Sequence, residues 1–208
     1  MAELRDRERI IETARDRFFQ SGISKVTVDE LAEELGMSKK TVYKFFPSKD
    51  DILKGVVRFM MKFIERKVEA IVESDRPFEQ KMTDLLSLIG SLMSKISLQF
   101  QKDLQRFAPG LWKEMEDFRR EHLFTKIEKM FIQAKQEGVF RSDVDHALFM
   151  LVFLHSMQGI MNPKTLSENA FSPEIAFKAI FKILFEGVLT DDTRVRFHFF
   201  EPTYSKQL

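Results

Sequence analysis

The 208-residue chain is 44% hydrophobic and carries 33 Lys and Arg against 32 Asp and Glu, a net charge of +1. This composition supplies a folded core for one or two domains and excludes a wholly disordered chain, yet it lacks the overall basic charge usual in nucleic-acid-binding domains. There is no cysteine, which excludes disulfides and thiolate metal sites, and the longest apolar run, Ala147 to Leu154, is too short for a membrane span, so we expect a soluble cytoplasmic protein.

The first two predicted helices are recognised by their ends. Apolar residues recur at helical spacing from about Asp6, and Gly22 supplies a left-handed stop after Ser21. The segment Thr27-Val28-Asp29-Glu30 has the form of a capping box, in which the Thr27 hydroxyl accepts from the third amide and Glu30 reaches back. This pattern predicts that helix two begins at Thr27.

A short turn separates helix two from helix three, because Gly36 ends the first and Ser38 caps the second. On a helical wheel of about 100° per residue, helix three divides into two faces. One face carries Lys39, Lys40, Tyr43 and Lys44, the other carries Val42, Phe45 and Phe46, and Thr41 lies on the border. No acidic residue occurs between Gly36 and Lys49, so the sequence predicts one small basic surface despite the neutral total.

The remaining chain is also predicted to be helical. Helix four continues to about Val72, and helix five starts from Pro77. The later helices are predicted to end at Phe107 (helix six), to run from about Leu111 to Glu137 (helix seven), to run from Ser142 or Asp143 through Met161 (helix eight), and to start at the Ser172 cap (helix nine). No strand pattern occurs before residue 190, which predicts an all-α fold.

Three regions are predicted along the chain. Residues 1–50 form an amino-terminal domain that contains the two short capped helices, and residues 51–190 form a larger helical domain. Residues 191–208 form a tail of unassigned role, in which residues 194–200 alternate like a strand and are expected to pack on the body of the protein.

Two short capped helices joined at a glycine are what a helix-turn-helix requires, because its second helix presents polar side chains to base edges. With their surroundings they resemble the signature of the tetracycline-repressor (TetR) family over residues 10–53. The resemblance rests on Ile11-Glu12-Thr13-Ala14, Phe18-Phe19, Gly22, Thr27 to Ala32, Gly36 to Lys39 and Thr41 to Lys49, and residues 137–145, with Arg141, Asp143 and Asp145, are similar to a further family stretch. It implies an obligate dimer with nine core helices per subunit, and the helix count agrees.

The same resemblance implies roles for individual residues. Lys40 and Thr41 face bases with Lys39 near them, Tyr43 and Lys44 contact phosphates, and Thr27, Ser38 and Lys49 anchor the flanking backbone. Lysines neutralise phosphates, a tyrosine hydroxyl donates to a phosphate oxygen, and the helix amino termini at Thr27 and Ser48 attract anions. Lys40 is alternatively suited to donate to guanine O6 or N7. Many relatives carry histidine at the position of Phe45, which receives no DNA role, and the alternative for the whole face is a solvated set of lysines.

Candidate effector-binding residues lie on helices five to eight. Soft, large side chains with a few polar groups suit an apolar ligand cavity, although most such side chains fill ordinary cores. The candidates are Met93, Phe100, Phe107, Trp112, Met115, Phe118, His122, Phe153, His155 and Gln158. His122, His155 and Gln158 are the polar members, and the alternative for either histidine is a buried ring bonded to a backbone carbonyl.

A dimer interface is predicted on helices eight and nine. Residues 147–154 are apolar all round the helix, and helix nine exceeds a single apolar stripe, so both predict a four-helix contact between two copies. The candidates are Leu148, Leu151, Val152, Phe177, Phe181, Leu184 and Phe185. The alternative is an internal core within one subunit.

These observations together predict a ligand-responsive transcriptional regulator, more specifically a repressor. We expect residues 1–50, the helix-turn-helix domain, to bind a pseudo-palindromic DNA operator as part of a homodimer, and residues 51–190 to supply the effector-binding and dimerisation domain. The resemblance implies release by an effector that moves helix four, and the apolar candidate residues favour a small hydrophobic one. The chain shows no nucleophile elbow, phosphate loop, zinc helix motif or carboxylate dyad, so we expect no enzymatic activity, catalytic residue, metal or cofactor. The alternative function is a ligand-independent architectural DNA-binding dimer.

Overall fold

In the computed structural model, which describes residues 2–196, the chain is helical almost throughout. Within those residues there is no β-strand, and the only β-bridge is an isolated antiparallel one between Phe140 and Leu189. The helices are α1 (Ala2–Ser21), α2 (Val28–Leu35), α3 (Lys39–Phe45), α4 (Lys49–Val72), α5 (Phe78–Lys95), α6 (Leu98–Phe107), α7 (Pro109–Phe118), α8 (Thr125–Gln136), α9 (His146–Ile160), α10 (Pro163–Glu168), α11 (Pro173–Val188) and α12 (Asp191–Arg196). A π-helical segment, Arg119–Phe124, joins α7 to α8. The all-α prediction is confirmed.

Most predicted helix ends agree with the structure, but helix one begins at Ala2 rather than at about Asp6, and predicted helices seven and eight also differ. Predicted helix seven is one continuous run that the π segment divides into α7 and α8. Predicted helix eight begins later than expected, because Asp145 rather than Ser142 or Asp143 caps it, with the Leu148 amide donating to Asp145 Oδ1 at 2.9 Å. The short helices α10 and α12 were not predicted. Of the strand-like stretch 194–200, Arg194–Arg196 end α12 and the rest lies outside the described residues.

The chain divides into two compact units. The amino-terminal unit comprises residues up to Lys67 together with Leu92–Glu121, and the carboxy-terminal unit comprises Val68–Ser91 and the residues from His122 onward. This division differs from the predicted boundary at residue 50, because α6 and α7 pack with α1 into the same core.

The core of the amino-terminal unit is built on α1. Phe18 and Leu31 are fully buried, and Leu104 of α6 lies in the same apolar cluster. The rings of Phe19 and Phe100 meet edge to face with centroids 4.8 Å apart, and the Ser97 amide donates to the Phe19 carbonyl at 2.9 Å. Helix α6 is therefore a structural part of the unit that carries α2 and α3.

The core of the carboxy-terminal unit is a phenylalanine cluster. Phe131 contacts the rings of Phe140, Phe149 and Phe185, each with a centroid distance of 5.2 Å, and Phe78 packs edge to face on Phe140 at the same distance. Such offset and edge contacts add to the stabilisation from burial. Across residues 2–196, no helix combines the length and the apolar character that a membrane crossing requires.

Candidate nucleic-acid interface

The turn between α2 and α3 is set by Gly36. This residue has φ 64° and ψ 31°, a left-handed conformation that glycine adopts without the steric cost of a Cβ atom. Its amide donates to the Glu33 carbonyl at 3.0 Å, and the Met37 amide donates to the Ala32 carbonyl at 2.9 Å. The chain thus closes α2 and enters α3 within three residues, as a helix-turn-helix requires.

Local hydrogen bonds fix the first turn of both helices. The Thr27 hydroxyl accepts from the Glu30 amide at 3.2 Å, and the Glu30 carboxylate accepts from the Thr27 amide at 2.8 Å. Ser38 Oγ accepts from the Thr41 amide at 3.0 Å and lies 2.8 Å from Thr41 Oγ1. The predicted capping box and the predicted Ser38 cap are confirmed. A rigid first turn holds Thr41 in a defined position.

The two predicted faces of α3 are also confirmed. Lys39, Lys40, Tyr43 and Lys44 are exposed, and Thr41 is partly exposed between the faces. Val42 is fully buried and Phe46 nearly so, while Phe45 packs half-buried against the core. The exposed side therefore carries polar groups on a helix that is held from behind by apolar contacts.

Three lysines of the exposed face differ in their partners. Lys39 Nζ donates to Asp29 at 2.9 Å, and this hydrogen bond raises the pKa of Lys39. Lys44 Nζ donates to Glu3 at 2.6 Å, which raises the pKa of Lys44 and lowers that of Glu3. Within residues 2–196, Lys40 forms neither a hydrogen bond nor an ion pair through its side chain. Exposed ion pairs such as those of Lys39 and Lys44 contribute little to stability. Because these pairs are weak, the lysines can exchange their carboxylate partners for DNA phosphates.

Lys49 lies in a different environment from the other predicted lysines. It is half-buried at the start of α4, and burial lowers its pKa, while the charges of Asp50, Asp103 and Glu30 act in the opposite direction. Sequence reasoning missed two neighbours of α3: the Glu3 carboxylate on Lys44, and the Arg7 guanidinium 5.0 Å from the centre of the Phe46 ring. Both come from the first turns of α1, and no local pattern places α1 beside α3.

A carboxylate of α6 holds the loop between α1 and α2. Asp103 is buried, and its Oδ2 accepts from the amide and the hydroxyl of Ser24, both at 2.8 Å. Its Oδ1 accepts from the Gln99 side-chain amide at 2.6 Å. Burial acts to raise the pKa of Asp103, but these hydrogen bonds outweigh it and lower the pKa below its ordinary value of 3.8. Asp103 was absent from the predicted sites, since 79 residues separate it from Ser24.

Comparison with known proteins identifies this arrangement. The family model for bacterial regulatory proteins of the tetR family matches residues 10–56, which contain α2, the turn and α3. The HTH-type transcriptional regulator YvaF of Bacillus subtilis strain 168 is 27% identical over 176 residues, covering 83% of this chain and 90% of YvaF. Residues 10–56 therefore carry the helix-turn-helix of the TetR family, and the chain is similar over most of its length to a transcriptional regulator. Its relatives are regulators rather than enzymes, as predicted.

Two further similarities extend over most of the chain. The nucleoid occlusion factor SlmA of Vibrio atlanticus strain LGP32 is 24% identical over 167 residues, covering 78% of this chain and 85% of SlmA. The solved structure of SmeT, the repressor of the Stenotrophomonas maltophilia multidrug efflux pump SmeDEF, has a TM-score of 0.62 at 14% identity, with 97% of this chain and 96% of SmeT covered. A complex of SmeT with triclosan matches with a TM-score of 0.61. At that identity the structural likeness shows the fold.

The predicted effector-binding residues fall into three groups. Phe100, Trp112 and Phe153 are buried, and Met93, Met115 and Phe118 are partly buried. Phe107, His122, His155 and Gln158 are exposed. The exposed residues do not line the interior of their own unit, and Phe107 instead lies beside the Arg106 guanidinium on the surface of α6. The first two groups remain candidates for contact with an apolar ligand.

The predicted dimer-interface residues include both exposed and buried side chains. Leu148, Leu151 and Val152 are exposed on α9, and Leu184 is partly buried on α11. Phe177, Phe181 and Phe185 are buried, and the stacked rings of Phe181 and Phe185, 3.7 Å apart, belong to the core of their own subunit. These three are therefore corrected to internal residues. The exposed apolar side chains of α11 are Ile175 and Ile183, which the prediction omitted.

Proposed function

We propose that this protein is a ligand-responsive repressor that binds a pseudo-palindromic operator as a homodimer. The observation that supports it most strongly is the rigidly capped α3, whose exposed side carries Lys40 and Thr41 together with Tyr43 and two further lysines. Such a helix enters the major groove, where lysine donates to guanine and a threonine hydroxyl contacts a base edge. Lys44 and Tyr43 contact the flanking phosphates.

The proposed homodimer follows from an exposed apolar face, defined by Leu148, Leu151 and Val152 of α9 with Ile175 and Ile183 of α11. Leu148 and Ile175 are each 61% exposed and Ile183 is 71% exposed. Helices α9 and α11 pack together, so these side chains belong to one layer of the carboxy-terminal unit. In a two-fold symmetric dimer, each subunit covers this face of the other. The same symmetry axis relates the two copies of α3, as the two half-sites of a palindrome require.

The proposed effector response rests on family likeness and on the apolar interior. The structural neighbour SmeT is known in complex with triclosan, a small molecule. In the present chain, partly buried Met93, Met115 and Phe118 are the adaptable side chains that suit an apolar ligand. An effector shifts α4 if it binds more tightly to the protein with α4 in one position than in another. The shift changes the spacing of the two α3 helices and so lowers operator affinity.

The first experiment is selection of bound fragments from a random duplex library, followed by sequencing. We expect enrichment of an inverted repeat with half-sites about 34–36 Å apart, one turn of B-DNA. The enriched duplex then becomes the probe for effector screening, in which a releasing compound weakens binding. Recovery of no common sequence would contradict the proposed operator.

Two substitutions separate phosphate contacts from base contacts. Lys44→Ala should weaken binding to all duplexes and reduce the slope of log affinity against log salt by about one, because one phosphate contact is lost. Thr41→Ala should relax the preference at one base position per half-site. Lys178→Ala, which removes an exposed lysine paired with Glu174 on α11, is the charge-matched control. Equal, sequence-independent losses from the Lys44 and Thr41 variants would contradict the assigned roles.

A ligand-independent architectural DNA-binding dimer is the second candidate, and the similarity to the nucleoid occlusion factor SlmA favours it. The two functions differ in their response to effectors and in their preference for sequence. Affinities for the selected duplex and for a random duplex, measured at one salt concentration, distinguish a specific operator from general binding. A specific operator that a small molecule releases supports the repressor; weak preference without release supports the architectural role.

A further inference from the structure

The carboxyl end of α7 carries an arginine in an unusual backbone setting. Arg119 is the first residue of the π-helical segment that interrupts the run from α7 to α8. π-Helical turns are rare and are frequently found at functional positions. Arg119 lies seven residues after Trp112, two helical turns along, and its guanidinium carbon is 5.7 Å from the centre of the Trp112 ring.

The guanidinium of Arg119 is poorly satisfied by the protein. It is partly buried, and among residues 2–196 no group accepts a hydrogen bond from it and no carboxylate lies within ion-pair distance. Desolvation lowers the pKa of Arg119, and the negative charge of Glu116, one turn earlier, acts in the opposite direction. Glu116 does not form an ion pair with Arg119. Five N–H donors thus lie in an environment that hydrates them incompletely.

Neighbouring arginines of the same unit are satisfied in the usual way. Arg120 is exposed and donates to Asp117 at 2.6 Å, and Arg58 forms two parallel hydrogen bonds to Glu114 at 2.9 and 3.1 Å. Arg119 therefore differs from them in being partly buried and in having no acidic partner among residues 2–196. A partly buried cation without a partner costs free energy, and such a group is a candidate for a functional position where an anion binds.

The aromatic ring beside Arg119 belongs to an apolar cluster. Trp112 belongs to the buried core cluster of the amino-terminal unit, and Met115, one turn before Arg119, packs half-buried against that cluster. A planar guanidinium held against an aromatic ring is suited to bidentate recognition of a carboxylate or a phosphate, while the apolar neighbours suit a hydrocarbon body.

We propose that Arg119, stacked on Trp112, anchors the acidic head of an amphiphilic anion, so that the effector is a carboxylate or phosphate attached to an apolar chain. This assignment rests on the proposed effector response and narrows the predicted hydrophobic effector to a charged class. The shared recognition chemistry is an oxyanion that accepts two parallel hydrogen bonds.

The test uses Trp112, the only tryptophan in the chain, as a fluorescent reporter of the site. Dodecanoate, dodecyl phosphate, dodecan-1-ol and dodecyltrimethylammonium are titrated into the full-length protein. We expect the two anions to bind, and to bind at least about tenfold more tightly than the alcohol and the cation, since a charge-assisted bidentate pair is worth that much or more. The relative affinities of the carboxylate and the phosphate identify which head group fits. Equal binding of all four probes, or no binding of either anion, would overturn the proposal.

Substitution of the arginine gives the second half of the test. Arg119→Gln should weaken dodecanoate or dodecyl phosphate about 10- to 100-fold and leave dodecan-1-ol unchanged, and Arg119→Lys should lose part of that affinity. Arg120→Gln is the matched control and should bind as the unaltered protein does. The thermal midpoint of Arg119→Met should equal or exceed that of the unaltered protein, whereas an arginine kept for folding would lower it. Anion binding that survives Arg119→Gln would overturn the assignment.

Operator affinity measured in the same samples separates this inference from the proposed function. If an anion binds through Arg119 and the operator affinity does not change, the anion site stands and the ligand-responsive function fails. If uncharged compounds release the operator and Arg119→Gln leaves that release intact, the function stands and the anionic class fails.

Discussion

Single residues of this regulator divide into those that act locally and those that connect distant parts of the chain. The Thr27 and Ser38 caps could be predicted, because each partner lies three residues away. Asp103 could not, since its hydrogen bonds to Ser24 depend on how α6 packs. The same holds for the pair between Glu3 and Lys44, which lie 41 residues apart.

The Asp103 carboxylate should make stability depend on pH. Because its folded-state pKa is lowered, its contribution is present above the ordinary value of 3.8 and is lost as the pH falls through the folded-state pKa. Asp103→Asn places an NH₂ group against a donor and should reduce the free energy of unfolding by about 1–3 kcal/mol at pH 7. That difference should shrink below about pH 4.

Urea unfolding of both proteins between pH 3 and pH 7 checks this expectation. Asp75→Asn alters an exposed carboxylate in the loop after α4 and should leave the unfolding curve nearly unchanged at every pH. A difference between the Asp103 variant and the unaltered protein that stays constant with pH would count against an ionised, hydrogen-bonded Asp103.

Asp29 should restrain DNA binding through its pair with Lys39. The carboxylate occupies Lys39 at 2.9 Å and repels phosphates that approach α3. Asp29→Asn is expected to tighten binding to all duplexes by about two- to fivefold, and the gain should fall as salt is raised. Glu168→Gln makes the same change of net charge in the carboxy-terminal unit, and an equal gain from it would show that only the total charge matters.

At the scale of elements, helix starts were more predictable than helix faces or interruptions. Capping residues mark the starts of α2, α3 and α11, and all three were predicted. The π segment has no such local marker, so it was missed. Helix α11 is apolar on most sides, and its sequence could not tell that Phe177 faces inward while Ile183 faces outward, because packing against α9 decides the orientation.

Two left-handed glycines at the ends of α1 and α2 should respond differently to alanine. Gly22 has φ +87°, and a Cβ there would lie 2.7 Å from Gln99 Cγ and 2.9 Å from Asp103 Oδ2. Gly36 has φ +64°, and a Cβ there would meet nothing within 4 Å among the described residues beyond its own chain neighbours. We expect Gly36→Ala to reduce the free energy of unfolding by about 1 kcal/mol and Gly22→Ala by about 2–4 kcal/mol. Denaturant unfolding measures both, and equal losses would argue against close packing of α6 on the Gly22 loop.

For the whole molecule, the family resemblance followed from residues 10–53 and the all-α class from helical patterns along the chain, but the division of the chain into two units could not be predicted. Helix α6 belongs to the core that supports α3, so the compact unit that contains α3 includes residues far beyond residue 50. The apolar content of α9 and α11 indicated a second contact surface without saying which side chains form it. Only the packed subunit separates Leu151 and Ile183, which are exposed, from Phe181 and Phe185, which are not.

The exposed apolar face should therefore control the oligomeric state. Ile183→Glu changes a side chain that is 71% exposed, so the subunit should still fold. In a two-fold symmetric dimer the substitution introduces two negative charges into the proposed interface. We expect a monomer by sedimentation and an operator affinity lower by about 100-fold or more, because two linked half-site contacts become one. Val195→Glu, at a 77% exposed position on α12, is the control and should remain dimeric. A dimer that persists in the Ile183 variant, with operator binding intact, would place the interface elsewhere on the subunit.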